Sequence, residues 1–252
     1  VDILPSLAAR VKIKLNIANP NTVAYDLPFG CPGWLQAMIQ ADYYIKSGDA
    51  HNILVIGADI LSRISDPHDR DSMIYADGAG ATLLTSQKSN TPTGILAHKT
   101  RSDTLDHSEM LFMGESYLPE NGTKEGIYLK MYGRKLYQYA LNHVPGAIQS
   151  CLHKSGIPLS EIKKVLIHQA NGKMDDAILE RLYKLEGDLS IPVDIMPMTI
   201  SWLGNSSVAT VPTLLDLILK NELDGHSIQK GDKIIFASVG AGMNINAMVY
   251  QA

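Results

Sequence analysis

One order of predicted elements occurs twice along this chain, once at residues 22–84 and again at residues 192–250. Each copy contains a strand, a tight turn, a helix, a second strand, a glycine-rich turn and a final strand. The alternation of strands with helices predicts an α/β fold with a largely parallel sheet covered by helices. If the two copies pack about a pseudo-twofold axis, their strand-to-helix turns meet at one central site.

A polar stretch at residues 86–93 is the clearest internal boundary, and it divides the chain into residues 1–90 and residues 91–252. The formal net charge is −4 and the 22 Lys and Arg residues are scattered, which argues against a nucleic-acid-binding protein. No apolar run approaches the roughly 18 residues that span a membrane, and two cysteines suit a reducing compartment. We therefore expect a cytoplasmic protein with neither nucleic acid nor membrane as a partner.

The first strand-to-helix turn carries Cys31. Residues 22–27 have the β-branched and aromatic character of a buried strand, and Trp34 and Met38 begin a helical apolar face. Pro32 suits the first helical position, which makes Cys31 the expected N-cap. The positive end of a helix dipole favours a thiolate, so we expect a nucleophile here. The simpler alternative is that Cys31 is a small buried residue.

Two further polar residues occupy comparable positions. His168 follows a short apolar strand at residues 164–167, and Asn205 lies at the strand-to-helix turn of the second copy. Sites in open α/β sheets form at the carboxyl ends of strands. Taken singly, a buried histidine and a helix-capping asparagine have structural explanations. Together with Cys31, they predict one site.

Four short motifs stand at these turns: Gly30-Cys31, His168-Gln169-Ala170-Asn171, Gly204-Asn205-Ser206-Ser207 and Val239-Gly240-Ala241-Gly242. In this order and at these separations they resemble the β-ketoacyl-acyl carrier protein synthase III family of the thiolase superfamily. The resemblance implies a thiolase-like fold of two pseudo-repeated halves in a layered α/β/α/β/α arrangement. The nucleophile would lie in an incomplete first half at residues 1–90, and the histidine and asparagine in the second half at residues 91–252.

The same resemblance implies a condensing acyltransferase that begins fatty acid synthesis. An acyl group would pass from acyl-coenzyme A to the cysteine, and a decarboxylative Claisen condensation with malonyl-acyl carrier protein would follow. The resemblance implies a homodimer and no cofactor or metal, because the coenzyme A thioester and the carrier protein's phosphopantetheine are substrates. The implied residues are the triad Cys31, His168 and Asn205, the oxyanion-binding backbone N–H groups of Cys31, Gly240 and Ala241, and the pantetheine contacts Ala170 and Asn171.

An acyl carrier protein is acidic, so a basic rim should attract it to the entrance of the site. Lys173 lies just beyond the His-Gln-Ala-Asn motif and is the first candidate for carrier docking, with Arg134 a weaker one. An ordinary solvated helix residue is the alternative for Lys173. The segment at residues 101–126 is predicted to be a loop or hairpin over the pocket, and its apolar residues are candidate acyl contacts or core: Met110, Phe112 and Met113.

Three features depart from the family pattern. The family has a further N-terminal segment, with the first strands and the groups that bind the coenzyme A nucleotide, so we expect unpaired strand edges in residues 1–90. Pro32 follows the nucleophile where a small residue is usual. Lys173 replaces the usual arginine, which keeps the charge but loses the planar guanidinium fork.

Other classes of protein fit the sequence less well. A papain-type hydrolase also uses Cys, His and Asn, but its tryptophan would adjoin the cysteine, whereas Trp34 is three positions further on. A biosynthetic thiolase would need a cysteine in place of Val239, and an elongating synthase a histidine in place of Asn205. The closer alternative is a related condensing enzyme of polyketide or quinolone-like biosynthesis with the same triad. The complete triad disfavours a non-catalytic partner subunit, and the histidines show no metal-ligand spacing.

Overall fold

The computed structural model describes residues 4–117, 126–187 and 190–252. The helices are α1 (Leu7–Lys14), α2 (Gly33–Ser47), α3 (Thr104–His107), α4 (Gly133–Ser155), α5 (Gly172–Leu185), α6 (Ile200–Leu203) and α7 (Thr210–Leu219). The strands are β1 (Asn52–Ile60), β2 (Asp77–Thr85), β3 (Gly94–Ser102), β4 (Leu111–Gly114), β5 (Tyr128–Met131), β6 (Ile162–Ile167), β7 (Lys233–Gly240) and β8 (Asn244–Gln251). No helix in these three ranges has the length and apolar character needed to cross a membrane.

The largest sheet has four strands in the order β3-β8-β7-β6. Only β6 and β7 run parallel, whereas β8 is antiparallel to both β7 and β3. The expectation of a largely parallel sheet is therefore wrong. The physical reason is the short glycine-rich turn Ala241–Met243 between β7 and β8, because a connection of this length joins only antiparallel neighbours.

The elements form alternating layers. Helices α2 and α7 lie between the two-stranded sheet β1-β2 and the four-stranded sheet, while α4 and α5 cover the other face of the four-stranded sheet. The inner face of α2 buries Trp34, Leu35, Met38 and Ile39, and the Trp34 ring meets the Phe236 ring edge-on at 5.8 Å. This arrangement is the predicted thiolase-like α/β fold.

The predicted strand at residues 22–27 is absent from the structure, where this segment is extended but unpaired. Val23 is 79% exposed, and Asp26 accepts hydrogen bonds from the backbone N–H groups of Leu7 and Ala8 at the start of α1. The extended stretch predicted at residues 191–196 is also irregular, although Ile195 O accepts from Val165 N of β6 at 2.9 Å. Strand character in the sequence needs a neighbouring strand to form a ladder, and neither segment has one among the described residues.

The β1-β2 sheet has two strands, and its outer face exposes Leu54, Ile56, Ile60 and Leu83. Their inward-facing neighbours pack on the central helices, which is why the two faces alternate along each strand. The division of the chain at residue 90 stays a prediction.

A second two-stranded sheet, β4-β5, lies within and just after the segment predicted as a loop or hairpin. Residues 118–125 of that segment lie outside the described residues. Lys130 of β5 is buried and forms an ion pair with the fully buried Asp66, which follows β1. Tyr117 N donates to the same carboxylate at 2.7 Å, and the Tyr117 ring covers Lys130 Nζ at 3.6 Å. This pair therefore fixes the hairpin to the loop after β1.

Removal of the charge of Lys130 should destabilise the fold strongly. Lys130→Met leaves Asp66 buried without its cation, and the loss of one partner of a buried pair lowers the free energy of unfolding by about 3–5 kcal/mol. Urea denaturation measures this loss, with Lys220→Met as a control because Lys220 pairs with Asp216 at the exposed surface and should matter little. The double variant Asp66→Asn/Lys130→Met should recover part of the loss, and a loss below about 1 kcal/mol in Lys130→Met would contradict this account.

The same pair has a defined pH dependence. Burial alone would raise the pKa of Asp66, but hydrogen bonds from Lys130 and Tyr117 outweigh burial and hold the pKa well below its usual range. Because the folded-state pKa is depressed, the stabilisation is present above about pH 4 and is lost as the pH falls below that value.

Candidate active site

Cys31 lies in the turn before α2, with its side chain partly exposed. The N-cap of α2 is Pro32 and the first helical residue is Gly33, so the expectation that Cys31 caps the helix is wrong by one position. Gly33 N donates to Gly30 O at 2.8 Å, so the first backbone N–H of α2 is already engaged within the turn. Cys31 therefore stands just outside the helix and not on its first free N–H groups.

The glycine-rich turn after β7 lies directly against Cys31. A Cβ atom on Gly240 would stand 2.9 Å from Cys31 Cβ and 2.6 Å from Pro32 Cδ, and one on Gly30 would meet Ala241 Cβ at 3.4 Å. No side chain fits at position 240 without moving the nucleophile turn. The structure thus brings together the predicted oxyanion residues Cys31, Gly240 and Ala241.

His168 directly follows β6 and is 3% exposed. Its backbone N donates to Ala237 O of β7 at 2.9 Å, and its Nδ1 lies 2.7 Å from Thr210 Oγ1. Burial lowers the pKa of His168 to about 4, so the imidazole is neutral at pH 7. A neutral imidazole can accept a proton.

Asn205 lies between the short helix α6 and the turn that leads into α7, and it is 8% exposed. Its backbone N donates to Ile74 O at 2.7 Å, and its backbone O accepts from Ala76 N at 2.9 Å. The side-chain Oδ1 accepts from Ser207 N at 2.8 Å. With the oxygen engaged in this way, the amide Nδ2 is the group left to act as a donor.

Two hydroxyl groups connect the three predicted catalytic residues. Ser207 Oγ lies 3.5 Å from Cys31 Sγ, and Thr210 Oγ1, the partner of His168, lies 3.1 Å from Ser207 O. Cys31 and His168 therefore both lie against one short segment, which contains Asn205, Ser207 and Thr210. Neither hydroxyl has a role predicted from the sequence. The spacing of three between Ser207 and Thr210 is the signal that places both on one face of a helical turn.

The protonation state of Cys31 differs from the expectation. Burial raises the pKa of the Cys31 thiol to about 11, although the hydrogen bond with Ser207 lowers it in part. The expected preference for thiolate is therefore wrong for the free protein, because desolvation of the sulfur outweighs the dipole of a helix that begins two residues later. The nucleophile needs a base.

The other predicted residues lie around the start of α5. Asn171 is the N-cap of α5, and its Oδ1 accepts from Met174 N at 3.3 Å. Ala170 is partly buried against the core, and Lys173 is exposed. The buried Gln169 accepts from Thr199 N at 2.9 Å and so fixes the motif to the segment before α6.

A basic groove runs between α4 and α5. Arg134 of α4 and Arg181 of α5 both line it, together with Tyr137, Gln138, Leu141 and Asn142. Arg181 donates to Leu141 O at 3.0 Å and to Asn142 Oδ1 at 2.8 Å. Within the described ranges, no group of three or more His, Cys, Asp or Glu side chains is arranged to hold a metal ion.

Comparison with known families agrees with this geometry. The model of 3-oxoacyl-[acyl-carrier-protein] synthase III matches residues 25–104, and the model of its C-terminal part matches residues 152–252. The chain belongs to this family. Its members are condensing acyltransferases, and both matched regions contain residues of the site described above.

Individual relatives give the same result. The chain is 33% identical over 247 residues to a β-ketoacyl-[acyl-carrier-protein] synthase III of Acaryochloris marina, and 34% identical over 246 residues to that of Thermosynechococcus vestitus. Each alignment covers 95% of this chain and 70% of the relative.

Solved structures share the fold. The synthase III of Aquifex aeolicus VF5 superposes with a TM-score of 0.83 at 29% identity, covering 100% of this chain and 73% of that one. The synthase III of Thermus thermophilus superposes with a TM-score of 0.84 at 28% identity, covering 100% of this chain and 74% of that one. The priming β-ketosynthase of the R1128 polyketide pathway superposes with a TM-score of 0.82 and covers 100% of this chain and 72% of its own. At 23% identity, it shows a shared fold and no more.

Alkylation of Cys31 should show the raised pKa directly. Because iodoacetamide reacts with the thiolate, its rate at Cys31 should rise about tenfold per pH unit from pH 8 to 10 and level off only near pH 11. Peptide mass spectrometry follows Cys31 separately from Cys151. Ser207→Ala should slow the reaction at a fixed pH, because it removes the hydrogen bond that lowers the pKa. A plateau at pH 8 or below would contradict the assignment.

Proposed function

We propose that this chain transfers an acyl group from acyl-coenzyme A to Cys31 and then condenses it with malonyl-acyl carrier protein, which releases CO₂ and forms β-ketoacyl-acyl carrier protein. This reaction initiates fatty acid synthesis. The observation that carries the proposal is the convergence of Cys31, His168 and Asn205 on the segment from Asn205 to Thr210 in a synthase III family member.

The first half-reaction needs a base because the Cys31 thiol has a pKa of about 11. The neutral His168 takes the thiol proton, the sulfur attacks the thioester carbonyl, and the departing coenzyme A thiolate takes the proton back. The tetrahedral oxyanion accepts hydrogen bonds from backbone N–H groups of Cys31 and Ala241. Gly240 is required because any side chain there would displace Cys31.

The second half-reaction creates negative charge on a different oxygen. Loss of CO₂ from the malonyl thioester leaves an enolate, and its oxygen accepts from Asn205 Nδ2 and from the neutral His168 imidazole in the tautomer that carries its proton on Nε2. An asparagine suits this position because a carboxylate would repel the enolate. The enolate carbon then attacks the Cys31 thioester, the carbon–sulfur bond breaks, and the released Cys31 thiolate takes up one proton from solvent.

The basic residues of α4 and α5 support an acidic protein as a partner. Malonyl-acyl carrier protein is acidic, and the exposed Lys173 with the groove between Arg134 and Arg181 offers a basic docking surface. Ala170 and Asn171, at the start of α5, would contact the pantetheine arm. We further propose a homodimer that acts in the cytoplasm. A condensing enzyme of polyketide or quinolone-like biosynthesis is the alternative, and the 33% and 34% identity to the synthase III relatives of Acaryochloris marina and Thermosynechococcus vestitus favours the fatty acid reaction.

Substitution of the nucleophile and of the enolate donor should affect different half-reactions. Cys31→Ser should abolish the stable acyl-enzyme, because a serine hydroxyl does not ionise near neutral pH. Asn205→Ala should leave acylation largely intact but slow decarboxylation and condensation by about 10²–10³, the usual effect of one lost oxyanion donor. Intact-protein mass spectrometry with a panel of acyl-coenzyme A thioesters measures acylation, and single-turnover assays measure condensation.

Matched variants provide the controls. Cys151→Ala removes the other cysteine, which is buried in the core, and should acylate normally. Asn90→Ala changes an exposed asparagine away from the site and should condense normally. His168→Ala should impair both steps. The proposed roles are wrong if Asn205→Ala loses acylation as completely as Cys31→Ser, or if Cys31→Ser condenses at the wild-type rate.

Reversal of the charge at Lys173 should weaken only the reaction with carrier protein. Lys173→Glu should raise the apparent KM for malonyl-acyl carrier protein several-fold and leave the KM for acyl-coenzyme A unchanged, with a smaller effect at high salt. Lys230→Glu makes the same charge change at another exposed position and should behave as wild type. Equal effects on both substrates would show that Lys173 is an ordinary surface residue.

A further inference from the structure

The turn after β7 holds an unfavourable backbone conformation. Gly242 has φ of 71° and Met243 has φ of 50°, so two consecutive residues are left-handed and one of them carries a side chain. Met243 is also fully buried. Left-handed backbone is uncommon for residues other than glycine and persists only where the surroundings enforce it. Contacts from outside the turn must therefore hold it.

Each carbonyl group from position 241 to 243 accepts a hydrogen bond from a fixed donor. Asn244 Nδ2 donates to Ala241 O at 2.9 Å, and Thr104 Oγ1 donates to Gly242 O at 3.0 Å. Asp103 N and the Tyr139 hydroxyl both lie 3.1 Å from Met243 O. Because each peptide unit is planar, these bonds fix the N–H groups of Gly242, Met243 and Asn244. The Ala241 N–H belongs to the peptide unit just before them, at the start of the same turn. Pairing of Gly240 with Asn244 holds the other end of the turn.

The donors outside the turn form a network of their own. Asp103 accepts from the Tyr139 hydroxyl at 2.6 Å and from Arg101 Nε at 2.7 Å. The hydrogen bond from Arg101 lowers the pKa of Asp103, so this carboxylate is ionised at neutral pH. Tyr139 has one proton and faces two acceptors, Asp103 Oδ2 and Met243 O, and it is 4% exposed. The network thus links β3 and α4 to the turn.

We propose that Thr104, Asp103 and Tyr139 are positioning residues for the turn that carries the oxyanion-binding N–H of Ala241, because they hold its carbonyl groups at positions 242 and 243. They hold the turn at the distance from Cys31 that an attacked thioester carbonyl requires, and they act through the backbone without touching substrate. The inference rests on the proposed function, because it assigns a catalytic consequence to the geometry of that site. None of the three residues belongs to the four motifs around the triad.

The test compares hydroxyl removal with hydroxyl retention. Thr104→Val deletes the donor to Gly242 O, Thr104→Ser keeps it, and Tyr139→Phe deletes the phenolic hydroxyl. Thr85→Val is the control at an exposed position on β2. Thr104→Val and Tyr139→Phe should lower kcat about tenfold with KM within twofold, since small displacements of catalytic donors reduce rate and not binding. Thr104→Ser and Thr85→Val should match wild type.

A spectroscopic measurement reports the strength of the hydrogen bonds from the oxyanion donors. Carbon-13-edited infrared spectra of acyl-Cys31 report the thioester carbonyl band, which moves to lower frequency when the oxygen accepts stronger hydrogen bonds. In Thr104→Val and Tyr139→Phe this band should move to higher frequency than in wild type, and in Thr104→Ser it should not. Thr104 is exposed, so its variants decide the matter even if Tyr139→Phe fails to fold.

The outcomes separate this inference from the function on which it rests. If wild-type protein forms no acyl-Cys31 with any acyl-coenzyme A, the proposed function fails and this inference fails with it. If wild-type protein forms acyl-Cys31 but the carbonyl band and kcat are unchanged in Thr104→Val, the inference alone is overturned. A rise in KM with kcat intact overturns it as well, because that result indicates a role in binding and not in positioning.

Discussion

The position of α2 and α7 between two sheets is the constraint on which the rest of the structure depends. A helix covered on both sides must approach both sheets closely, and here glycines permit it. A Cβ atom on Gly57 of β1 would stand 2.7 Å from Val208 O, and one on Gly80 of β2 would stand 2.7 Å from Pro212 Cβ. The glycine-rich stretch that begins β2 therefore serves packing against α7. Because both central helices begin at the same end of the molecule, Cys31 and Ser207 come within 3.5 Å.

Burial of the region where α2 and α7 begin sets the electrostatics of the site. Desolvation opposes charge on either partner, so it raises the pKa of Cys31 and lowers the pKa of His168. The resting pair is neutral, and charge develops only when a substrate arrives. In such a low-dielectric site, backbone donors that already point at the developing oxyanion are worth more than they would be in water. In the proposed mechanism, the backbone of the Gly240–Ala241 turn and the side chain of Asn205 supply these donors.

Buried and partly buried polar groups hold the loops that surround the central helices. Gln169 joins the histidine motif to the segment before α6, and Asp66 with Lys130 joins the β4-β5 hairpin to the loop after β1. Asp103 joins β3 and α4 to the turn after β7. Each of these groups is satisfied by partners distant in sequence, and a buried polar group without such partners would destabilise the fold. The loops around the site are therefore tied to elements that are distant in sequence.

Most helices and strands could be predicted from the sequence because their signals are local. Periodic apolar residues located α2, α4 and α7, and the β-branched run at the end of β6 placed His168 at a strand terminus. Motif resemblance identified the family, and the family models confirm it. The three catalytic candidates were chosen from motifs that are short and contiguous, so errors in the bounds of helices and strands did not affect the choice. Their catalytic roles stay predictions.

Other features depended on contacts between distant residues, and only the tertiary structure decided them. Residues 22–27 read as a strand, yet no neighbouring strand pairs with them among the described residues. The direction of β8 followed from the turn that precedes it, and not from strand character. The pKa of Cys31 was set by burial, which the dipole of α2 could not offset. Thr210 and Tyr139 acquired partners only when β6, α4 and the turn after β7 came together. Local sequence determines which segments form helices and strands and which residues are candidates for the chemistry, whereas pairing, desolvation and hydrogen bonding are properties of the assembled fold.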